Sequence, residues 1–420
     1  MKRDIRTADV VIVGGGASGL AAAVELGMKA PQLSVLVIEK MPEPGRKIRA
    51  TGSGRCNISN VNAEGFNRIM EFFTETGLVT RCYENGLVYP YSESASDVVR
   101  LLTDRAESLG VEFACGEELM SVRYMPVPAA GNIFQLESVI KDRDGMRGVT
   151  TQSRFVILAM GGKAGPSYGT IGDGYRIARN LGHRVITAVP ALTGIECAEW
   201  DPLCTPQAVT MAGTRTKGTV SLYKGDKIFE ESGEIQFTKY GLSGICVFNM
   251  TRFMRFNKAE GESIRDYLVT ADLFPDGDIV RFLKERRAAA FEGEKAKDAL
   301  LSVLKDNIAA YVICVAGMNA SDMRLGDRLL ADLSDSDIDA IGRAVHCLTF
   351  HPESLRGWND AQVTMGGVAL DEIKEATSES LLVNGLYITG ELADRDFPCG
   401  GFNLSNAWLT GLAAADDIAR

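Results

Sequence analysis

The first apolar run of the chain predicts a buried β-strand. Residues 9–13, DVVIV, form this run, a glycine turn follows it, and a helix is predicted to start directly after the turn. A second apolar run, SVLVIEK, ends at residues 39–40. Continuous apolar runs of this kind are typical of parallel strands that are covered on both faces. The pattern therefore predicts that the chain opens with a parallel strand–helix–strand unit.

The same kind of pattern continues to about residue 188. Residues 66–110 look mostly helical, with one interruption by a strand and a turn. VEFACG, at 111–116, predicts a third parallel strand, and RFVILAMGG, at 154–162, predicts another buried strand. Residues 121–155 alternate between apolar and polar and carry turn residues, which favours an antiparallel meander. Together these runs predict an α/β domain.

The middle of the chain has a different pattern. Residues 189–276 contain short β-rich runs between glycine turns, and residues 277–345 have helical periodicity. LYITGE, at 386–391, then returns to the buried-strand pattern of the first domain. We therefore expect one domain made of 1–188 and 358–420, interrupted by an inserted domain, 189–357, with a small antiparallel β part and a helical part.

Three glycines in and just after the first turn predict a dinucleotide-binding site. Gly14, Gly16 and Gly19 have the GxGxxG spacing, in which the glycines allow a tight turn, close approach of a pyrophosphate, and close helix packing. The helix start, with Ala17 and Ser18, offers free N–H groups to phosphate. Glu39, at the end of the second run and followed by Lys40, is placed for ribose hydroxyls. The alternative is an ordinary tight turn with a coincidental acid.

Composition narrows the class of protein. Hydrophobic residues make up 45 % of the chain, which is ordinary for a globular protein. The net charge of −10 argues against a general nucleic-acid-binding surface. Nine cysteines without a CxxC pair favour a reducing compartment. No metal-ligand cluster and no apolar run long enough for a membrane span is apparent. The basic N-terminus resembles a signal peptide, but cleavage would remove the glycine turn, so we expect a cytoplasmic protein. The sequence does not predict the oligomeric state.

The stretch MPEPGRKIRATGSGRCNISN, residues 41–60, is rich in glycine and proline and predicts a loop. It carries a concentration of cations in an acidic chain. These cations could face the phosphates or the ring system of a bound dinucleotide, or they could belong to a solvated basic loop. The glycines favour the first interpretation, because a backbone with few side chains can lie against a flat cofactor. The cations are Arg46, Lys47, Arg49 and Arg55.

This stretch also carries a resemblance to a known family. GRKIRATGSGRCNISN resembles the GRKxLxTGxGRCNxTN pattern of a bacterial flavoprotein family that includes aminoacetone oxidases and a bile-acid-pathway flavoprotein. The resemblance extends over essentially the whole chain and implies bound FAD on a Rossmann-like domain with an inserted substrate domain. Cys56 could equally be a small packed hydrophobe. The FAD contacts that the resemblance implies here are Arg46, Lys47, Thr51, Gly52, Arg55, Cys56 and Asn57.

The resemblance continues in the middle of the chain. It implies that the strand end with Ala159, Gly161 and Gly162 passes close to the FAD, as does Asp173, which could instead cap a helix. QFTKYGLSG resembles the family pattern FTHxGLSGP, but Lys239 replaces the histidine, so a role for that position is in doubt. Lys239 and Tyr240 remain candidate polar groups near a substrate, or are simply exposed.

The closing block also matches the family. It contains a strand that ends at Gly390 and Glu391 and a glycine turn that starts the last helix near Asn403. A helix N-terminus carries about half a positive charge, which would stabilise a reduced flavin at its pyrimidine edge. The alternative is a plain docking helix. The implied FAD contacts are Gly390, Glu391, Gly401, Phe402, Asn403 and Leu404.

We therefore expect an FAD-dependent oxidoreductase that acts on a small molecule, with catalytic residues that the sequence does not identify. One version is reduction by NAD(P)H of an activated C=C bond in a steroid-like, bile-acid-like or other small molecule. Another is a flavin amine oxidase that produces H₂O₂, and a third is a non-catalytic, regulatory flavin-binding protein. Since no second glycine pattern is visible, NAD(P)H would be a transient electron donor.

Overall fold

The computed structural model describes residues 4–127, 131–142, 145–198, 210–256 and 261–420. Its packing forms two compact units: unit 1 comprises Met1–Pro190 and Ala361–Arg420, and unit 2 comprises Ala191–Asp360. The domain limits expected from the sequence stay a prediction. Parts of the predicted meander (128–130, 143–144) and of the predicted inserted β region (199–209, 257–260) lie outside the described residues.

The first segment of the chain contains ten strands and five α-helices in the described residues. RFVILAMGG is not a separate strand, because it forms the end of a long strand that begins at Gly145 and also closes the meander. In chain order the elements are β1 Asp4–Val13, α1 Ala17–Lys29, β2 Val35–Glu39, α2 Arg46–Ala50, β3 Ser59–Asn60, α3 Phe66–Glu75, β4 Thr80–Cys82, β5 Leu87–Pro90, α4 Ala95–Ser108, β6 Glu112–Cys115, β7 Glu117–Val127, β8 Gly131–Asp142, β9 Gly145–Leu158, α5 Asp173–Asn180 and β10 Val189–Ala191.

The rest of the chain contributes a second set of strands and helices before it returns to unit 1. These are β11 Ile195–Cys197, β12 Arg215–Lys224, β13 Asp226–Thr238, β14 Gly241–Ser243, α6 Ile245–Thr251, β15 Leu268–Asp272, α7 Ile279–Ala288, α8 Asp306–Asn319, α9 Asp335–His346, β16 Leu348–Phe350, β17 Pro352–Leu355, β18 Val363–Met365, β19 Leu386–Ile388 and α10 Phe402–Ile418. The first and last segments together form unit 1.

The main sheet of unit 1 explains the continuous apolar runs. Strands β6, β2, β1 and β9 are parallel neighbours, and β8 and β7 extend the sheet in antiparallel fashion. Val10 and Ile12 face a core with α1, α3, α4 and α10, while Val11 and Val13 face a second core with α5. Because both faces are buried at residues 10–13, all four of these positions are apolar. The predicted α/β class with a Rossmann-like domain is confirmed.

The parallel strands place their carboxyl ends at one edge of the sheet. β19, from the closing segment, pairs in parallel with the end of β9, on the side opposite β1. Gly14, Glu39, Ala159 and Gly390 therefore lie at or just beyond the ends of neighbouring strands. In open α/β sheets, ligands bind in the crevice at this edge.

Unit 2 is built on an antiparallel sheet. Its strand order is β16-β15-β12-β13-β14-β11-β17, so two strands that follow the helices complete the sheet. The β part is thus not confined to 189–276. Residues 299–305, expected to be helical, precede α8 without joining it. In the described part of the chain, no helix has the length and apolar character needed to cross a lipid bilayer.

Candidate functional site

The glycine turn after β1 has three positions with different surroundings. Gly14 has φ +104°, and a side chain there would collide with the carbonyl oxygen of Ala159; one at Gly19 would collide with Gly14. Gly16 is extended, with φ −82° and ψ −164°, and a Cβ there would have no atom within 4 Å. Two of the glycines therefore serve packing, whereas Gly16 faces open space at the start of α1.

The start of α1 leaves its backbone N–H groups available to a ligand. Ala17 and Ser18 are its first residues, and no side chain caps the helix in the described structure. Uncapped N–H groups at a helix start bind anions readily, since they need a partner and the helix dipole adds a positive field. This is the position that the sequence predicts for a pyrophosphate.

Glu39 lies beside this turn and is mostly buried. Its Oε2 accepts a hydrogen bond from the Gly15 N–H at 2.7 Å, and its Oε1 accepts one from the Met41 N–H at 2.7 Å. Burial raises the pKa of Glu39, and the two backbone donors oppose this shift. Because a carboxylate oxygen has more than one lone pair, each can still accept from a ribose hydroxyl.

The Lys40 side chain links the end of β2 to the start of α5. Lys40 Nζ lies 2.5 Å from Asp173 Oδ2. Asp173 is the first residue of α5 and not its cap, because Gly172, at φ +84°, occupies the capping position. The structure therefore gives Asp173 an ion-pair role in place of the capping role considered from the sequence.

The stretch 41–60 contains a short helix, α2, which the loop prediction missed. Ile48 is buried and anchors it, and Gly45 donates its N–H to the Gly15 carbonyl at 2.8 Å. Lys47 Nζ lies 2.7 Å from Glu391 Oε2. Arg46 is exposed, and its positive charge lowers the pKa of Glu39, in opposition to the effect of burial. Thus Arg46, Lys47, Glu39 and Glu391 belong to one region of unit 1.

The second half of this stretch is held by a local hydrogen bond and by the burial of Cys56. Thr51 Oγ1 donates to the Ile48 carbonyl at 2.7 Å. Cys56 is fully buried at φ +59°, and burial raises the pKa of its thiol to about 12. A thiol with this pKa stays protonated near neutrality, which favours the interpretation of Cys56 as a packed hydrophobe.

Arg55 and Gly52 lie beside the hairpin formed by β4 and β5. Arg55 is half exposed, its Nε donates to the Gly52 carbonyl at 3.2 Å, and its guanidinium stands 5.0 Å from the centroid of the Tyr89 ring. A Cβ at Gly52 would lie 3.0 Å from the Asn57 nitrogen and 3.2 Å from the Tyr89 ring. The contacts of the Arg55 side chain therefore direct it toward the hairpin.

Asn57 connects this stretch to the start of α10. Its amide nitrogen donates to the carbonyls of Ser59 and Val88 at 2.9 and 3.1 Å, and its oxygen accepts from the Gly401 N–H at 3.0 Å. Gly401 caps α10 at φ +94°, and a Cβ there would lie 2.6 Å from the Ser59 carbonyl oxygen. The last helix therefore begins in close contact with β3.

The turn that precedes α10 is fixed by Asn403. Its Nδ2 donates to the Phe397 carbonyl at 2.8 Å, and its Oδ1 accepts from the Phe397 N–H at 3.0 Å. Phe402 and Leu404 flank it and are partly exposed. Gly390 donates its N–H to Thr410 Oγ1 at 2.9 Å, which attaches the end of β19 to the same helix.

Thr364, which sequence reasoning missed, organises the region beside Glu391. Its Oγ1 accepts from the Lys163 and Ala164 N–H groups at 2.7 and 3.1 Å, and its own N–H donates to Glu391 Oε1 at 2.9 Å. A side chain at Gly162 would collide with Thr364. The sequence feature that could have indicated Thr364 is the run VTMGG, at 363–367. It ends a buried strand in a pair of glycines, as VIVGG and LAMGG do.

Lys239 and Tyr240 lie in unit 2. Lys239 is exposed, and the Tyr240 ring is covered by the Arg356 guanidinium at 4.6 Å. Arg356 Nη1 also lies 2.8 Å from Glu196 Oε1. These contacts explain the place of Tyr240 in unit 2 and assign no chemistry to either residue.

The donor set at the sheet edge of unit 1 fits FAD. An uncapped helix start beside open space at Gly16 suits the pyrophosphate, and the carboxylate of Glu39 suits the ribose hydroxyls. Lys47, Glu391 and the start of α10 add charged and dipolar groups in the same unit. The individual contacts with the cofactor remain predictions.

Comparison with known proteins gives full-length matches. Residues 8–67 and 65–417 match the family described as HI0933-like protein Rossmann domain. The chain is 31 % identical to the 3-dehydro-bile acid delta(4,6)-reductase of Clostridium scindens, over 97 % of this chain and 98 % of that protein. It is 26 % identical to the ribosomal RNA dihydrouridine synthase of Escherichia coli, over 98 % of each chain.

A solved structure shows a more distant likeness. It is the 3-ketosteroid-delta4-(5alpha)-dehydrogenase of Rhodococcus jostii, with 14 % identity, a TM-score of 0.49 and coverage of 100 % of this chain and 98 % of that chain. The family match and the bile-acid reductase extend along nearly the whole sequence. The chain belongs to the HI0933-like family and is an FAD-dependent oxidoreductase.

Proposed function

We propose that the protein reduces a C=C bond conjugated to a carbonyl group in a small molecule, with NAD(P)H as a transient electron donor. The observation that carries the proposal is the full-length match, at 31 % identity, to a reductase of 3-dehydro-bile acids. The second relative is named for making dihydrouridine, a product with a saturated ring bond. Saturation of an activated ring C=C bond is the chemistry that these two names share.

The reaction balances without another reagent. The carbonyl group withdraws electrons from the double bond, so the β-carbon accepts a hydride and the α-carbon accepts a proton. NAD(P)H and one proton are consumed, and NAD(P)⁺ and the saturated carbonyl compound are formed. Bound FAD supplies the two-electron carrier between donor and acceptor.

The chain's own residues would hold the cofactor and stabilise negative charge on it. We assign the pyrophosphate to the start of α1 and the ribose to Glu39. Lys47 and Glu391 form an ion pair beside them. The start of α10 contributes about half a positive charge, which favours negative charge on a neighbouring ring.

Oxidation of a small amine with release of H₂O₂ is the second candidate. It is favoured by the lack of a second glycine pattern for a resident NAD(P)H domain. A primary amine would then bleach the flavin band without oxygen, and peroxide would form with oxygen. Turnover with any such donor and acceptor would exclude a purely regulatory flavin-binding role.

The first experiment is anaerobic mixing of the purified protein with NADH and then NADPH, while the flavin absorbance band is followed. We expect rapid bleaching by one of them. The reduced protein is then mixed with a steroid 4-en-3-one, with uridine-containing RNA, or with buffer. Return of the band with the steroid alone supports the proposal, and return with RNA alone contradicts the small-molecule acceptor.

The controls separate the possible failures. Gly16→Val is expected to fold without retaining flavin, so it reports any background reaction. A band that no nicotinamide bleaches, but that a primary amine does, would reject the reductase and select the amine oxidase. Folded wild-type protein that binds no FAD would contradict the assignment of the cofactor site.

A further inference from the structure

The hairpin of unit 1 presents a face of arginine and tyrosine side chains. In the β4–β5 pair, Arg81 lies directly opposite Tyr89, and Tyr91 donates its N–H to the Val79 carbonyl. Side chains two positions apart, and those directly opposite, point to the same side of a sheet. Arg81, Tyr83, Tyr89 and Tyr91 therefore share one side, which we call the Arg–Tyr face.

The contacts within the Arg–Tyr face leave the Tyr91 ring open, whereas Tyr89 is buried. The Arg81 guanidinium stands 4.3 Å from the centroid of the Tyr91 ring, and the Tyr83 and Tyr89 rings meet edge to face at 5.5 Å. Tyr91 is 59 % exposed even with Arg81 over it. A ring covered on one face and open on the other can stack on a nucleobase.

The Arg–Tyr face carries one arginine that is not paired with a carboxylate in the part of the chain that the structure describes. Arg81 is exposed, and within the described residues no ion pair joins it to a carboxylate. Arg55, which stands over Tyr89, has Glu93 3.8 Å away, and Tyr83 also bonds to Glu93. Arg55 is therefore paired with Glu93, whereas Arg81 has no carboxylate partner among the ion pairs of the described residues. A single exposed guanidinium of this kind suits a compact anion and not a long polyanion.

A chain of contacts connects the Arg–Tyr face to the start of α10. Tyr89 lies within contact distance of Gly52, Gly52 lies against Asn57, and Asn57 accepts from the Gly401 N–H. The face therefore lies a few side chains from the helix start that we assign to the flavin. A dinucleotide docked on the hairpin would extend along these contacts toward that helix start.

We infer that the Arg–Tyr face binds the adenosine and pyrophosphate of NAD(P)H, with the adenine stacked on Tyr91 and the phosphates at Arg81. The inference rests on the proposed function, because it places the donor of that reaction. It gives NAD(P)H a docking surface although the sequence has no second glycine pattern. Arginine suits this role, since its planar group stacks on the ring and also pairs with phosphate.

The test compares variants of two exposed residues, Arg81→Ala and Tyr91→Ala, with the conservative Tyr91→Phe. The concentration of NAD(P)H that half-saturates flavin reduction is measured anaerobically. We expect each alanine variant to raise it about tenfold, and Tyr91→Phe to leave it near the wild-type value, because the ring is kept. The limiting rate of reduction is expected to stay unchanged.

A truncated donor distinguishes docking from a general structural effect. 1-Benzyl-1,4-dihydronicotinamide delivers a hydride but has neither adenosine nor pyrophosphate. All variants are expected to react with it as the wild type does. Arg154→Ala is the matched control, since Arg154 also lies over an aromatic ring, that of Phe155 at 5.4 Å, on the main sheet. It should bind NAD(P)H normally.

Binding of ADP-ribose to the FAD-saturated protein, measured by calorimetry, tests the face without hydride transfer. Weakening by about tenfold in both alanine variants supports the inference. If the wild type does not bind ADP-ribose, or if the variants bind it equally well, the inference is overturned. If NAD(P)H never bleaches the flavin but ADP-ribose binding depends on Arg81, the proposed function fails and the site remains.

Discussion

Two helices of unit 1, α1 and α10, begin directly after consecutive glycines, and the two starts use their glycines differently. At α1, a Cβ on Gly16 would meet no atom within 4 Å, and the backbone there is extended. At α10, Gly401 has φ +94°, and a Cβ would lie 2.6 Å from the Ser59 carbonyl oxygen. The first start is open to a ligand, and the second is pressed against β3.

The comparison shows that one sequence pattern serves two physical purposes. A glycine that faces open space costs conformational entropy and gains nothing from the fold itself, so its benefit must come from what binds there. A glycine in left-handed conformation against a backbone is required by the fold. Substitution should therefore affect cofactor binding at α1 and folding at α10.

The largest expected effect is at α10. We expect Gly401→Ala to lower the free energy of unfolding by about 2–5 kcal/mol, because overpacking costs about 1–3 kcal/mol and the left-handed conformation about 1–2 kcal/mol. Gly400→Ala is the control: Gly400 has φ +114°, but its nearest neighbours lie 3.6 Å from the added Cβ. Urea denaturation measures both. Equal losses would show that the contact with Ser59 does not constrain the helix start.

The next effect is on cofactor retention at α1. Gly16→Ala should leave the unfolding of the flavin-free protein unchanged, because the backbone is extended and the space is free. Gly16→Val should yield folded protein that has lost most of its flavin absorbance, since a branched side chain blocks the pyrophosphate. Flavin content and thermal unfolding are measured together. Normal flavin content in folded Gly16→Val would contradict the assignment of the pyrophosphate.

The contribution of Glu39 to the free energy of unfolding should depend on pH. Loss of one acceptor in Glu39→Gln leaves a buried N–H unpaired, which costs about 1–3 kcal/mol. The pKa of Glu39 is raised by burial, so its protonated form is favoured in the folded state. The stabilisation that results from this raised pKa is fully present below the pKa of Glu39 in the unfolded protein, near 4.5. It is lost as the pH rises through the pKa of Glu39 in the folded protein.

The measurement is urea denaturation of flavin-free wild type and Glu39→Gln over this pH range. The excess stability of the wild type should be largest below pH 4.5 and should decrease as the pH rises. Titrations of all other carboxyl groups are common to both proteins and cancel. A difference that grows with pH would mean that the carboxylate is stabilised by its surroundings.

The smallest effect should come from the Lys47–Glu391 ion pair. Its side chains are 27 % and 20 % exposed, and such pairs are screened by water and salt. A double-mutant cycle with Lys47→Met and Glu391→Gln should give a coupling of at most about 1 kcal/mol in the flavin-free protein. A much larger coupling would show that the pair holds the two segments together before any cofactor binds.

The sequence predicted the strands better than the loops of the site. Alternate residues of the segment 10–13 face two different cores, and that is why these four positions are all apolar. The short helix α2 was missed because its apolar anchor, Ile48, is a single residue among glycines and cations. Thr364 was missed because its contacts with Lys163 and Glu391 join residues far apart in the chain.

The sequence by itself determined the class of fold, the glycine turn of the first domain and the return of the chain to that domain. These depend on local periodicity and on spacings within a few tens of residues. Only the tertiary structure decided which glycine faces open space, which one packs on β3, and that Arg81 and Tyr91 share a face. Such contacts depend on strand register and on pairs of residues that are distant in the chain, and local pattern carries no information about either.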